Sequence, residues 1–286
     1  MSLRVFHVSD LHFGRPAVPA QVEALERLVE RERFDVVAVS GDLTQRARSG
    51  EFQRAAVFLR DAGRVSRTIV VPGNHDVLWW KAPLGFGDDA GVYANYRDYI
   101  SADLEPVLRV PPRDGVPGVP DSPGAVFVGL NTAQGVLPET LTWNVRDISI
   151  IGHLRRSQVE RAGAAFAAAP AGDYRVVVMH HNPVMGELSQ RHGLKHTRRV
   201  LGAFAEIGAD LVLCGHDHQE AVHEVETTKK GTIVSTAGTV SNRSRGGRPS
   251  SANVLTLRAG GIDVTTLVWS NAERDFVPGT ERSFVR

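Results

Sequence analysis

Arg4-Val5-Phe6-His7-Val8-Ser9-Asp10-Leu11-His12 is the stretch on which the fold turns. Residues 4–9 form an apolar, β-branched run that reads as a buried strand, and the polar pair Asp10 and His12 follows where that strand must end. The same grammar recurs along the chain. Val36 to Ser40 leads into Gly41-Asp42, and Thr68 to Val71 into Gly73-Asn74-His75-Asp76. Arg175 to Met179 leads into His180-His181, and Leu211 to Cys214 into Gly215-His216-Asp217-His218. Singly, each cluster has a bland explanation: Asp10 and Asp42 suit helix caps, and Gly73-Asn74 suits a turn. Five in succession, each at a buried strand end, are poorly explained that way. One sheet can gather such ends at a single edge.

Between these strands, and a further one at Val126 to Leu130, lie helical patterns at Ala20 to Arg31, Glu51 to Leu59, Ser157 to Ala168 (with Ser157 as its cap) and Thr197 to Ile207. Strand alternating with helix implies βαβ crossovers and a largely parallel sheet. After Gly215 the rhythm changes: Ala221 to Thr227, Thr232 to Thr236, Asn253 to Leu257 and Ile262 to Trp269 follow with no helix between them, as in a second, meander-like sheet. Two sheets face to face with helices outside bury all of this. The expectation is one α/β domain over residues 1–269. Within it, 77–125, rich in Gly and Pro and carrying Trp79-Trp80, reads as an active-site insertion loop with a short helix near Tyr93 to Tyr99, and 270–286 as a C-terminal surface tail.

Composition removes several classes. At 42% hydrophobic and 23% charged residues, the 286-residue chain is globular rather than disordered. A formal net charge of +1 gives no global drive toward nucleic acid or an anionic surface. The lone Cys214 excludes an intrachain disulfide, and no segment approaches the roughly 20 apolar residues of a membrane span. Residues 1–4 lead straight into a strand without an apolar signal stretch, so a cytoplasmic protein is expected.

The chemistry follows from residue type. In an extended segment, residues two apart share a side, so Asp10 with His12, and His216 with His218, can aim at one point. Asp, His and Asn together suit borderline ions such as Mn²⁺, Fe²⁺ or Zn²⁺, not a thiolate-rich structural zinc site. A carboxylate bridges two ions readily, and Asp42 is the best candidate for that position. His75 is a candidate acid, and Asp76 either orients it or caps backbone. His180 and His181 at a buried strand end need partners.

Asp-x-His, Gly-Asp, Gly-Asn-His-Asp, His and Gly-His-x-His, in that order across residues 4–218, resemble the calcineurin-like metallophosphoesterases. The resemblance implies a four-layer α/β/β/α sandwich with two mixed β-sheets. It also implies two divalent ions, one held by Asp10, His12 and His218, the other by Asn74, His180 and His216, with Asp42 between them and His181 in a supporting or substrate-facing role. Such a pair, about 3.5–4 Å apart, would yield a bridging hydroxide for in-line attack on phosphorus.

Within the superfamily the chain is most similar to bacterial cyclic-nucleotide phosphodiesterase-like members. Its departures are specific: Gly41-Asp42 is followed by Leu43-Thr44-Gln45-Arg46 rather than the Asp-Arg of protein phosphatases, and His181-Asn182-Pro183 stands where many cyclic-nucleotide enzymes read His-Pro-Pro. The expected substrate is a small phosphodiester, a nucleotide included; a phosphomonoester or nucleic acid handled by the same ions is the alternative. Arg243 and Arg245, in the Gly-rich basic loop 242–248, are candidate phosphate contacts.

Overall fold

In a computed structural model, the described residues are 2–78, 91–113, 122–134, 151–190, 193–226 and 231–286. Two six-stranded sheets face each other. The first joins β1 (Leu3–Val8), β2 (Val36–Val39) and β3 (Arg67–Val70) to β10 (Ser251–Arg258), β11 (Gly261–Ser270) and β12 (Asp275–Val285), in the order β12-β11-β10-β1-β2-β3. The second has the order β4-β5-β6-β7-β9-β8, from β4 (Val107–Val110), β5 (Ala125–Leu130), β6 (Tyr174–His181), β7 (Leu211–Gly215), β8 (Ala221–Val225) and β9 (Thr232–Thr236). Both sheets are mixed. In the first, β1 pairs parallel with β2 and antiparallel with β10; in the second, β6 and β7 run parallel while β8 and β4 pair antiparallel to their neighbours.

Strand alternation builds the layers. Along β1, Leu3 and Val5 pack with Val36, Val176 and Leu211 between the sheets, whereas Phe6 and Val8 pack outward. There they meet α1 (Pro19–Glu32) through Val22 and Leu25, and α2 (Ser49–Ala62) through Phe52 and Phe58. On the far side Val126, Val177 and Val212 pack against Ala162 and Phe166 of α4 (Arg156–Ala167) and Phe204 of α5 (Thr197–Glu206). Helix, sheet, sheet, helix is the expected four-layer sandwich.

Several local expectations change. The strand ends belong to two sheets rather than one, and the late strands are not a separate meander: β8 and β9 complete the second sheet, while β10 pairs onto β1 and β11 onto β10. Continuous apolar runs report burial on both faces but not the identity of the neighbour. Residues 270–286 are no tail, because β12 pairs along β11 and Arg286 is tied down at its end. Within 77–125 the expected short helix is present as α3 (Ala94–Tyr99), with Tyr93 and Tyr96 in the core, whereas β4, pairing with β5, was not expected. Trp79 and Trp80 lie outside the described residues. Ser157 sits inside α4 rather than at its cap, where Gln158 Oε1 accepts the Arg155 N–H at 2.7 Å. Among the described residues, no helix is long and apolar enough to cross a membrane.

Candidate metal centre

The clusters gather over one end of the inter-sheet layer, where the parallel strands finish. From the first sheet come Asp10 and His12 after β1, Asp42 after β2 and Asn74 after β3; from the second come His180 in β6 and His216 and His218 after β7. Their convergence does not use extended backbone. Asp10, His12, Asp42, His216 and His218 all have positive φ, between 45° and 73°, so left-handed residues rather than a pleat turn the side chains inward. Gly73 and Gly215 allow the close approach: a Cβ at Gly73 would collide with Asp42 Oδ1, and one at Gly215 with Ser9 Oγ and Asp10 Oδ2.

In the first group, the ligand atoms of Asp10, His12, Asp42 and His218 lie within 4.8 Å of one another, all buried. Asp10 Oδ1 is 3.1 Å from His218 Nε2 and 3.6 Å from His12 Nε2. In the second, Asn74 Oδ1 is 3.1 Å from both His180 Nε2 and His216 Nδ1. Asp42 Oδ2 stands between the groups, 3.4 Å from His180 Nε2 and 3.8 Å from His12 Nε2.

Hydrogen bonding supplies the test of whether cations fit. His12, His180 and His218 each donate Nδ1–H to a backbone carbonyl, of Thr44 (3.3 Å), Ser40 (2.8 Å) and Arg243 (3.1 Å) respectively. Each therefore turns its Nε2 inward, the ring orientation a metal ligand needs, and at His12, which burial keeps neutral, that nitrogen carries a bare lone pair. The Nε2 atoms of His12 and His218 then face each other at 3.2 Å, beside Asp10 Oδ1 and Asp42 Oδ2, which are buried without hydrogen-bond partners. The second oxygens are committed elsewhere: Asp10 Oδ2 accepts His216 N–H at 2.9 Å and Asp42 Oδ1 accepts His75 N–H at 2.8 Å. Inward lone pairs and unpartnered carboxylate oxygens repel unless positive charge lies between them, so the residues fit cations.

Titration agrees. Burial opposes ionisation of Asp42 and Asp10, yet the surrounding histidines, His180 first for Asp42 and His218 first for Asp10, hold both below the usual carboxylate range. Burial alone would lower His180; the Asp42 carboxylate outweighs it and brings the value up to about 9. Burial, then the neighbouring His180, pushes His216 down to about 3.

The remaining expected residues divide. His75 faces the first group, its ring 4.9 Å from that of His12, and donates Nδ1–H to Gln45 O at 2.8 Å. Arg243 reaches it, with Nη1 3.3 Å from His75 Nε2. Asp76 does not orient His75. Its carboxylate accepts from the N–H groups of Leu43, Thr44 and Gly73 and from the Thr44 hydroxyl, clasping the loops after β2 and β3 together. Burial, then the charge of Asp42, raises Asp76 to about 7 against those bonds. His181 is not open to substrate: it is 1% exposed, with Nδ1 bonded to Thr132 Oγ1 at 2.8 Å. Adjacent strand residues should face opposite ways, but the β6–β7 register shifts between Val178 and His181, and the His180 and His181 rings sit 4.9 Å apart beside His216. Arg245 is exposed, its charge falling on Asp217 rather than on the cluster.

Sequence reading missed residues that act by position. Thr132 holds His181, Thr239 Oγ1 donates to Asp10 O at 2.7 Å, and Gln45 meets both His75 and Arg243. Buried polar residues in strand positions were the available signal: His7, Ser9 and Ser40 form a polar layer beneath the cluster, with His7 Nε2 2.9 Å from Ser40 Oγ.

This geometry agrees with comparison to known proteins. The family model for calcineurin-like phosphoesterases matches residues 3–220, and the chain belongs to that family. Membership implies a metal-dependent phosphoester hydrolase. No curated protein matches the sequence significantly. Among solved structures, the purple acid phosphatase PPD1 of yellow lupin (Lupinus luteus) is similar at TM-score 0.66 and 13% identity, covering 100% of this chain and 54% of that one. GAP50, the anchor in the inner membrane complex of Plasmodium, is similar at TM-score 0.60 and 14% identity over 99% of this chain and 89% of that one. PhoD is similar at TM-score 0.62 and 13% identity over 99% and 69%. At such identities the likeness shows a shared fold.

Proposed function

We propose that the chain hydrolyses a phosphodiester, a cyclic nucleotide or another small diester, using two divalent ions held by Asp10, His12, Asp42, Asn74, His180, His216 and His218. The observation that carries this reading is the position of Asp42 Oδ2, buried, unpartnered and within 3.8 Å of a histidine nitrogen from each group. A shared carboxylate is what a pair of ions needs. When bound, such ions supply Lewis acidity that activates water and draws charge from phosphoryl oxygens.

The chain's own residues supply the rest. His75, with Nδ1–H committed to Gln45 O, offers Nε2 toward the cluster and serves the departing oxygen. Arg243 brings a guanidinium beside it. Among the described residues it is the arginine whose side chain meets His75, and one such cation suits the single negative charge of a diester.

The test compares bis-p-nitrophenyl phosphate, p-nitrophenyl phosphate, 3′,5′- and 2′,3′-cyclic AMP and single-stranded DNA with added Mn²⁺. Turnover of a small diester above the monoester and DNA is expected. A monoester cleaved far faster than every diester would sink the diester reading and leave a phosphomonoesterase on the same residues.

A further inference from the structure

Gln45 follows β2 by a few residues, and its backbone is fixed by Gln45 N–H donating to Phe13 O at 3.2 Å. From there it touches both working side chains beside the cluster. Its carbonyl accepts His75 Nδ1–H at 2.8 Å, and its side-chain Oε1 accepts Arg243 Nη1–H at 3.0 Å. The Arg243 main chain is anchored independently, since its carbonyl accepts His218 Nδ1–H at 3.1 Å and its N–H donates to Ser241 Oγ at 3.3 Å. The guanidinium is therefore held by the neutral side-chain amide of Gln45 through Oε1, with His75 Nε2 3.3 Å away. Among the described residues no carboxylate pairs with it. A guanidinium oriented by a neutral amide keeps its full charge, and its other N–H groups remain available for a bidentate anion.

We propose that Gln45 is a positioning residue that aims Arg243 at the phosphoryl group of an anionic ester while leaving its charge uncancelled. A carboxylate at position 45 would have the same length and accept the same hydrogen bond, but it would pair with Arg243 and compete with the substrate's oxygens. Neutrality at this position, rather than shape, is what substrate binding uses. The inference rests on the phosphoesterase reading of the neighbouring site.

The experiment compares Gln45→Glu and Gln45→Ala with the wild type, all Mn²⁺-loaded, with metal content and melting temperature checked. Affinity for inorganic phosphate is measured by calorimetry, and KM and kcat with bis-p-nitrophenyl phosphate. The near-isosteric Glu is expected to be the worse change: phosphate affinity weaker and KM higher by about tenfold, against about threefold for Ala, with kcat moving less than KM. A structural role predicts the reverse order, because Glu retains the contact that Ala loses. Ala equal to or worse than Glu in phosphate affinity would overturn the proposal, as would unchanged affinity in both. Should Gln45→Glu fold poorly, Arg243→Gln gives the second reading: phosphate affinity must fall by at least as much as in Gln45→Ala, and no loss overturns the proposal. Absence of turnover by the metal-loaded wild type would count against the phosphoesterase reading, while the phosphate affinities would still decide this one.

Discussion

Left-handed backbone at five residues of the candidate centre is a cost of roughly 1–3 kcal/mol each, and such strain persists only where surrounding structure imposes it. Here the imposition is visible residue by residue, as carbonyls fix imidazole tautomers and glycines let Asp42 and Asp10 close in. Two substitutions separate holding metal from using it. Asp42→Asn keeps the shape but removes the charge that two cations would share, so bound metal should fall well below two per chain and turnover by about 100-fold or more. Elemental analysis with steady-state assay checks this, and retained metal with full turnover would refute the assignment. His75→Ala removes a ring bonded to Gln45 and Arg243 but keeps the backbone N–H that Asp42 Oδ1 accepts. Metal content should stay unchanged while turnover falls about 100-fold, most for esters of poorly acidic alcohols.

Elements carry the next level of control. At the irregular end of β6 the His180 and His181 rings sit 4.9 Å apart, one held by Ser40 O and the other by Thr132 Oγ1, a closeness that neither residue's identity could settle. At the opposite end of the layer, Arg286 after β12 fastens one sheet to the other. Its guanidinium donates to Gly172 O and Asp173 O at 2.7 Å each and to Asp210 Oδ1 at 3.3 Å, and lies 4.2 Å over the Tyr174 ring. The side chain is 20% exposed, so solvent screens these contacts only in part. Arg286→Ala should therefore cost about 2–3 kcal/mol, removing one donor each from two carbonyls and from Asp210 Oδ1. Urea unfolding reads the loss; a change under about 0.5 kcal/mol would mean β12 is held by its pairing with β11 alone.

At the scale of the whole molecule, the candidate centre draws its residues from both sheets, so metal bound there would act as a clasp across the sandwich. Ions at 100 times their dissociation constant add about 2.7 kcal/mol to stability for each site, because the unfolded chain has no comparable set of ligands. Chelation should then lower the melting temperature by about 5–10 °C, and Mn²⁺ should restore it. A melting curve indifferent to chelator would argue against metal bound between the sheets. The polar residue types, their order and their place at strand ends were legible in the chain, because a buried run followed by Asp, Asn or His is a local pattern with a local cost. So were the alternation that makes a layered α/β fold and the family these clusters define. Sheet membership was not, since an apolar strand is equally content beside any partner; hence β10 on β1, β11 beyond it, and β12 where a tail was expected. Nor was the division of labour among polar neighbours. Asp76 became a clasp, His181 a buried support, and Gln45 the holder of Arg243 only when loops distant in sequence met, because a side chain's role depends on which donors and acceptors three-dimensional packing sets within about 3 Å of it.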